Sequence, residues 1–351
     1  MSRNLGATLQ ARLGTIPRRR FITIAAAAAG LPLLMLPRGR EATPESQLRI
    51  WTGSALGADA MLQIAHPDPA AADRLIELSL QEVARLERIL SLYREDSALS
   101  RLNRDGYLDD PPSDLLRLLA ASERFSVLTA GAFDVTVQPL WEVYAGHFGR
   151  PGADPAGPPR TAVAAALARV GHGRVLLDAR RIAFAAPGMA ITLNGIGQGY
   201  ITDRVVERLR AAGVAHALVD MGETHAIGDH PAGAPWTVGL EDPRAPGKVS
   251  ERVHLVDCAV ATSGGYGTQF DADGRFNHIF DPADGRTSWR CLSVSVIAPD
   301  ATTADALSTA FTLMPLDETQ RLITTLDLRA HFVLADGSRL MQARAVRTRA
   351  G

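Results

Sequence analysis

The spacing of apolar residues is the first structural signal along the chain. In segment 70–92, AAADRLIELSLQEVARLERILSL, apolar residues recur at intervals of three and four. This spacing places their side chains on one face of an α-helix, with the charged residues mostly opposite. Four further segments predict helices: 113–128, 161–170, 200–212 and 302–313.

Short apolar runs separated by turn residues indicate strands elsewhere. They predict strands at 190–193, 215–220 and 330–334, a hairpin at 174–184, and five strands between 236 and 297, with sequences PWTVGL, RVHLVD, AVATSG, FNHIFD and LSVSVIA. Strands and helices do not alternate strictly, and short turns join many of the strands. The pattern therefore predicts an α+β fold, with mixed, largely antiparallel sheets and flanking helices, rather than a doubly wound parallel sheet.

The N-terminus has the features of an export signal. Arg18, Arg19 and Arg20 precede Phe21 and an apolar run that ends near residue 36. This run is short for a membrane span, which needs roughly 20 apolar residues. We interpret residues 1–45 as a twin-arginine signal and linker, 46–340 as one domain and 341–351 as a tail. The mature protein is then expected in the periplasm without stable membrane insertion; an N-terminal membrane anchor is the alternative.

Charge and cysteine content exclude two classes of function. The formal net charge is −1, which gives no electrostatic basis for binding nucleic acid. Cys258 and Cys291 are the only cysteines, too few and too far apart for a CxxC metal site. Whether they pair with each other is left open by the sequence.

A glycine-rich turn interrupts the chain at 191–203, ITLNGIGQGYITD. With a strand before it, a helix after it and Asp220 about 20 positions on, it is similar to a dinucleotide-binding turn. However, Tyr200 occupies the position of that fingerprint's third glycine, and no further βαβ units follow. We retain a narrower inference: residues without Cβ let a backbone carbonyl or amide approach a ligand beside the start of a helix.

A carboxylate and a hydroxyl occur one helical turn apart in the segment 299–313, PDATTADALSTAFTL. Asp305 and Thr309 are separated by four positions, so they share one helix face. Both are hard oxygen ligands of the kind that Mg²⁺ prefers. Spacing alone favours a plainer interpretation, an Asp near a helix start and a packed Thr, so the metal hypothesis depends on further motifs.

Seven motifs in a fixed order provide that support. They are SLYREDSALSRLN, GAFDVTVQPLW, LNGIGQGYITD, LVDMGETHAIG, AVATSGGY, HIFDPADG and ADALSTA. Together they resemble the ApbE family, flavin transferases that move FMN from FAD onto a Thr or Ser hydroxyl of a target protein. The resemblance runs from about residue 50 to about residue 335. The LNGIGQGY motif and the RRRF signal look most like the NosX branch, which serves nitrous oxide reduction.

The resemblance implies FAD as substrate and Mg²⁺ as cofactor. It implies metal ligation by the Gly197 carbonyl and by the Asp305 and Thr309 side chains. It also implies a membrane-bound, NosR-like flavoprotein acceptor that is flavinylated on Thr. The positions that match FAD contacts in the family are Leu56, Tyr93, Ala132, Phe133, Asp134, Asn194 and Tyr200.

The chain departs from the family pattern at several positions. Gln198 replaces a common Lys, which removes a cation near the phosphates, and Asn194 replaces a Gly. Gly197 stands where many members have Ala, a change that preserves the carbonyl. The motif VDMGETHAIG lacks the usual second Gly and Asp, which weakens any role predicted for it.

A base is needed to take the proton of the acceptor hydroxyl, and His278 is the candidate because imidazole titrates near neutrality. The alternative is a turn histidine before Asp281-Pro282, where Asp281 and Asp284 shape the turn. Two other functions stay open: a metal-dependent FAD pyrophosphatase and a non-catalytic periplasmic flavin carrier. The Asp305–Thr309 pair argues against the carrier, which has no need of a hydrolytic metal.

Overall fold

The structure is a computed structural model that describes residues 47–55, 57–245 and 247–344. The predicted export signal, Leu56 and most of the predicted tail lie outside these residues. The helices of the described part are α1 (Pro69–Leu90), α2 (Ala98–Asp105), α3 (Ser113–Leu128), α4 (Gln138–Phe148), α5 (Arg160–Leu167), α6 (Gly197–Ala211), α7 (Ala301–Phe311) and α8 (Leu316–Leu326). None of these helices is long and apolar enough to span a membrane.

The strands build one large sheet and two small ones. The strands are β1 (Gln47–Ala55), β2 (Ala58–His66), β3 (Tyr107–Asp109), β4 (Val175–Asp178), β5 (Arg181–Phe184), β6 (Ala217–Asp220), β7 (Thr224–Ile227), β8 (Trp236–Glu241), β9 (Val249–Leu255), β10 (Ala259–Ser263), β11 (Cys291–Ala298), β12 (Arg329–Leu334) and β13 (Arg339–Ala343). The large sheet has the order β1-β2-β6-β7-β10-β11-β12-β13, and every neighbouring pair in it is antiparallel. The predicted α+β class is therefore confirmed.

Helices α6 and α7 pack against each other, and α7 also packs on β10 and β11. The main core lies between the large sheet and its helices, and it includes fully buried Leu62, Val205, Val296 and Phe311. Helix α1 packs its apolar face on this core, and it begins where Asp68 accepts the Ala70 amide at 2.9 Å. Residues far apart in sequence thus meet around α6 and α7.

The strongly periodic helices lie where the sequence predicts them. Segment 70–92 forms α1, and segment 113–128 forms α3 with the predicted bounds. Segment 302–313 forms α7, and the hairpin at 174–184 forms β4 and β5. These elements are encoded by local patterns that do not depend on distant contacts.

Two predicted strands are wrong. Residues 190–193 are not a strand, because the Asn103 side chain takes both backbone groups of Ile191 at 2.8 Å and Val135 accepts the Thr192 amide. The segment FNHIFD forms only two isolated bridges, Gln269 with Asn277 and Phe280 with Thr287. In both places, loop contacts replace a sheet neighbour.

The two cysteines are separated by the length of a strand. Cys291 begins the eight-residue β11, whereas Cys258 precedes Ala259, whose partner is Ala298 at the other end of β11. A strand of that length spans roughly 20 Å, while a disulfide needs Cα atoms within about 7 Å. Both thiols are free, so this fold does not join them.

Candidate active site

The glycine turn is fixed by backbone hydrogen bonds on its N-terminal side. The Asn103 side chain hydrogen-bonds both backbone groups of Ile191. Further along, the Gly197 amide donates to the Leu193 carbonyl at 2.7 Å, and α6 begins at Gly197. Residue 196, which precedes the helix, provides no side-chain cap. The helix therefore starts three residues earlier than predicted, and Gly197 and Gly199 lie in its first turn.

The three glycines of the turn meet different neighbours. A Cβ at Gly199 would overlap the carbonyl of Ala301, so α6 and α7 can approach this closely only without a side chain there. A Cβ at Gly195 would lie 3.0 Å from Thr309 Oγ1. At Gly197 an added Cβ would make one ordinary contact, 3.6 Å from Leu193 Cβ. An alanine side chain would therefore fit at this position.

The predicted ligand residues come together at this turn. Asp305 is 2% exposed, and its Oδ2 accepts the Gly199 amide at 3.0 Å. Thr309 is half-buried one turn further along α7, with its Oγ1 facing Gly195. Gly197 lies between the two glycines that Asp305 and Thr309 contact.

The start of α7 is held in place by carboxylates. Asp203, on α6, accepts the amides of Ala301 and Thr302 at 2.8 Å each, and His225 Nδ1 lies 3.0 Å from it. Burial acts to raise the pKa of Asp203, but hydrogen bonds from His225, Thr302 and Ala301 outweigh it and hold the pKa below its usual value. Asp300 caps the helix itself by accepting the Thr303 amide at 2.7 Å.

The segment Ala132–Asp134 also borders the turn. The ring of Phe133, which is buried, would lie 3.5 Å from a Cβ at Gly195. The Asp134 carboxylate accepts the Thr136 amide at 2.8 Å and the His172 amide at 2.9 Å. Asp134 thus orders the local backbone, and Phe133 lies nearest the glycines.

The remaining residues that match FAD contacts are in different environments. Tyr200 is buried, and its hydroxyl donates to Asp114 at 2.7 Å; burial and this carboxylate both raise the pKa of Tyr200. Asn194 is exposed at the turn. Tyr93 has 65% of its surface exposed. Leu56 lies outside the described residues.

His278 lies in the long loop between β10 and β11. Its amide donates to the Thr268 carbonyl at 3.1 Å, and its Nδ1 is 3.2 Å from the same oxygen. Because a carbonyl only accepts, Nδ1 carries the hydrogen in the neutral ring, and Nε2 carries the lone pair. The neighbouring Asn277 donates to Ser288 at 2.8 Å and closely approaches Gly265, so it holds the loop near the end of β10.

Two polar residues near this site, buried Glu223 and half-buried Ser263, were not predicted. Glu223 is 2% exposed, and its Oε2 accepts the Thr262 amide at 3.3 Å. Ser263 Oγ lies 3.0 Å from Thr309 Oγ1. The sequence indicated Glu223 only through the departure of VDMGETHAIG from the family pattern, and nothing in AVATSG distinguishes Ser263 from an ordinary strand serine.

The residues present suit a hard cation. Among residues 47–55, 57–245 and 247–344, no group of three or more His, Cys, Asp and Glu side chains is placed to hold a metal ion. Asp305 and Thr309 meet at the glycine turn and offer one carboxylate and one hydroxyl, to which the Gly197 carbonyl, the predicted third ligand, would add a backbone oxygen. This donor set fits Mg²⁺, which takes few protein ligands and keeps positions for phosphate oxygens.

Comparison with known proteins identifies the family. The ApbE family model matches residues 56–332. The FAD:protein FMN transferase of Klebsiella pneumoniae is 28% identical, over 84% of this chain and 87% of its own length. The corresponding enzyme of Treponema pallidum is 32% identical, over 73% of this chain and 75% of its own. The crystal structure of the ApbE protein from Thermotoga maritima superposes with a TM-score of 0.74 at 30% identity, covering 84% of this chain and 97% of that one.

These similarities and the α+β fold define an enzyme of the transferase class. The family model covers well over half of the sequence, and the relatives match along most of their length. The chain belongs to the ApbE family.

Proposed function

We propose that this protein transfers the FMN part of FAD to a Thr or Ser hydroxyl of an acceptor flavoprotein. One observation carries the proposal: Asp305 and Thr309 on α7 contact the glycine turn at the start of α6. The relatives named above are FAD:protein FMN transferases. At the α6–α7 junction a carboxylate and a hydroxyl lie beside a helix start, which supports the binding of a cation and a diphosphate there.

Asp305, Thr309 and the Gly197 carbonyl are the proposed ligands of Mg²⁺. The ion, when bound, would neutralise charge on the diphosphate and so favour departure of AMP. Of the proposed FAD contacts, the Phe133 ring is next to the turn, the exposed Tyr93 ring is accessible for stacking, and Tyr200 contributes its ring or backbone because Asp114 engages its hydroxyl. Leu56, Ala132, Asp134 and Asn194 complete the proposed contact set.

The transfer exchanges one phosphorus–oxygen bond for another. The acceptor hydroxyl oxygen bonds to the FMN phosphorus, the anhydride bond to the AMP phosphate breaks, and AMP leaves with the electron pair. His278 is the proposed acceptor of the hydroxyl proton. The Thr268 carbonyl fixes the tautomer in which Nε2 can accept a proton, which supports this assignment.

The cellular setting is also a proposal. The arginines before the N-terminal apolar run support export by the twin-arginine route, with a mature domain over 46–340 in the periplasm. The resemblance of LNGIGQGY to the NosX branch supports a membrane-bound, NosR-like acceptor in nitrous oxide reduction. Coexpression with such an acceptor, followed by mass spectrometry of its Thr-containing peptide, tests the choice of target.

Substitution of the carboxylate tests the reaction and the site together. We expect Asp305→Ala to lose FMN transfer to the acceptor by at least about 100-fold, more than the usual loss for a residue outside the metal's direct ligands. Asp317→Ala, an exposed Asp→Ala change on the next helix, is the matched control. Undiminished labelling by Asp305→Ala would refute the site.

Incubation with FAD and Mg²⁺ in the absence of acceptor distinguishes the other functions. A transferase releases AMP quickly only when the acceptor is present. A pyrophosphatase releases FMN and AMP without it, and a carrier retains intact FAD in both cases.

A further inference from the structure

Three hydroxyl groups form a chain beside the proposed metal ligands. Thr309 Oγ1 lies 3.0 Å from Ser263 Oγ, and Ser263 Oγ lies 2.8 Å from Ser308 Oγ. Ser308 Oγ in turn donates to the backbone carbonyl of Asp305 at 2.9 Å. Ser308 is fully buried, and the chain therefore starts at one proposed ligand residue and ends on the backbone of another.

Only one direction of donation lets all three contacts be hydrogen bonds at the same time. Each hydroxyl has one hydrogen to donate. The Asp305 carbonyl can only accept, so the Ser308 hydrogen is used there, and Ser308 accepts from Ser263. The Ser263 hydrogen is then used on Ser308, which leaves Ser263 to accept from Thr309.

We propose that Ser263 and Ser308 are positioning residues that orient the Thr309 hydroxyl for cation binding. The Thr309 hydrogen points to Ser263, so the lone pairs of Oγ1 are turned toward the glycine turn, where a Cβ at Gly195 would lie 3.0 Å away. A hydroxyl can bind a cation only through its lone pairs, and a hydrogen aimed at the ion would repel it. This inference rests on the proposed metal site.

The fold supplies Ser263 at the right place. Ser263 ends β10, and α7 packs directly on this strand, so the strand end meets two consecutive residues of the helix. Strands β10 and β11 are joined by another hydroxyl contact, Thr262 with Ser295 at 2.8 Å, which is buried and includes neither Ser308 nor Thr309. Ser295→Ala is therefore a matched control that removes a hydroxyl contact of the same length.

The affinity of the FAD-loaded protein for Mg²⁺, measured by calorimetry without acceptor, tests the proposal. We expect Ser263→Ala to weaken Mg²⁺ binding about 10-fold, the usual effect of removing a partner of a metal ligand. Ser308→Ala, which frees the Ser263 hydrogen to turn toward Thr309, should also weaken it. Ser263→Thr should restore the affinity, and Ser295→Ala should match the unmodified protein. Wild-type affinity in both Ser263→Ala and Ser308→Ala would overturn the proposal.

A double substitution separates orientation from general stability. If Ser263 acts only through Thr309, the variant with Ser263→Ala and Thr309→Val should bind Mg²⁺ as weakly as Thr309→Val alone. Additive losses would overturn the proposal, because Ser263 would then act by another route. Unchanged affinity in Thr309→Val would instead refute the metal site itself, which distinguishes that failure from a failure of the hydroxyl chain.

Discussion

The first turns of α6 and α7 are stabilised in reciprocal but unequal ways. Asp203, on α6, accepts hydrogen bonds from two amides and one hydroxyl at the start of α7, and the His225 ring is its fourth partner. Asp305, on α7, accepts the Gly199 amide at the start of α6. Helix α7 also has its own cap, Asp300, whereas α6 has glycines and no side-chain cap.

This difference separates a helix start with a structural role, that of α7, from one with a proposed binding role, that of α6. Four donors surround the Asp203 carboxylate. Its oxygens are therefore fully used by protein groups, and its role is to hold the start of α7 in place. The start of α6 has small residues and backbone groups, which are suited to approach by an anion and its cation. Substitutions that disturb the contacts of Asp203 or the packing of Gly199 on α7 should therefore lower the stability of the fold, whereas those at turn residues that do not pack on α7 should mainly affect the proposed site.

Gly199→Ala should have the largest effect on this arrangement. The new Cβ would overlap the Ala301 carbonyl, so α6 and α7 must separate and the Gly199–Asp305 hydrogen bond must lengthen. We expect a loss of more than about 3 kcal/mol in the free energy of unfolding, at the upper end for overpacked cores. Urea unfolding measures this loss. If the variant were as stable as the wild type, α6 and α7 would be able to accommodate the added Cβ.

Asp203→Asn should have the next largest effect on the free energy of unfolding. The variant replaces one carboxylate oxygen by an NH₂ group, which would face hydrogen-bond donors instead of accepting from them. We expect the free energy of unfolding to fall by about 2–3 kcal/mol. Because the native pKa of Asp203 is depressed, the carboxylate stabilises the fold above about pH 4, and this contribution is lost as pH falls through the native pKa. The stability difference between wild type and variant should therefore shrink in acid, and a pH-independent difference would contradict the charge argument.

Tyr200→Phe should have a smaller effect, about 1 kcal/mol, because it removes one hydrogen bond while Asp114 keeps its ion pair with Arg85 at 2.8 Å. Urea unfolding and FAD titration together sharpen the comparison. If FAD affinity falls while stability is unchanged, the Tyr200 hydroxyl contributes to ligand binding rather than to the stability of the fold.

Gly197→Ala should have the smallest effect, and of opposite sign. Its Cβ meets only Leu193, and alanine is favoured over glycine in a helix by up to about 1 kcal/mol. We expect a slightly higher thermal midpoint. A lower midpoint would mean that the start of α6 requires glycine at Gly197 as well as at Gly199.

The sequence predicted those parts of the molecule that depend on local pattern. Helices α1 and α3 follow from apolar periodicity, and the Asp305–Thr309 face follows from helical spacing. Residues 190–193 were misassigned because the partner of Ile191 is Asn103, 88 positions away. The start of α6 was placed too late because glycine disfavours helices, although close packing on α7 requires it at Gly199.

The hydroxyl contact of Ser263 with Thr309 illustrates what spacing cannot reveal. These residues are 46 positions apart and meet only because α7 packs on β10. Resemblance to a family indicated the proposed ligand positions, but the side chains that contact them became visible only in three dimensions. Glu223 is similar, because its buried carboxylate occupies a position where the sequence showed only a departure from the family pattern.

The separation of α6 and α7 along the chain has a consequence for biosynthesis. The Gly199–Asp305 and Ala301–Asp203 hydrogen bonds span 106 and 98 positions. A nascent polypeptide leaving the ribosome therefore has the glycine segment long before its counterpart has been translated. If FAD binds at the α6–α7 junction as proposed, it can bind only after nearly the whole polypeptide has been released, and a product that ends before α7 would lack the site.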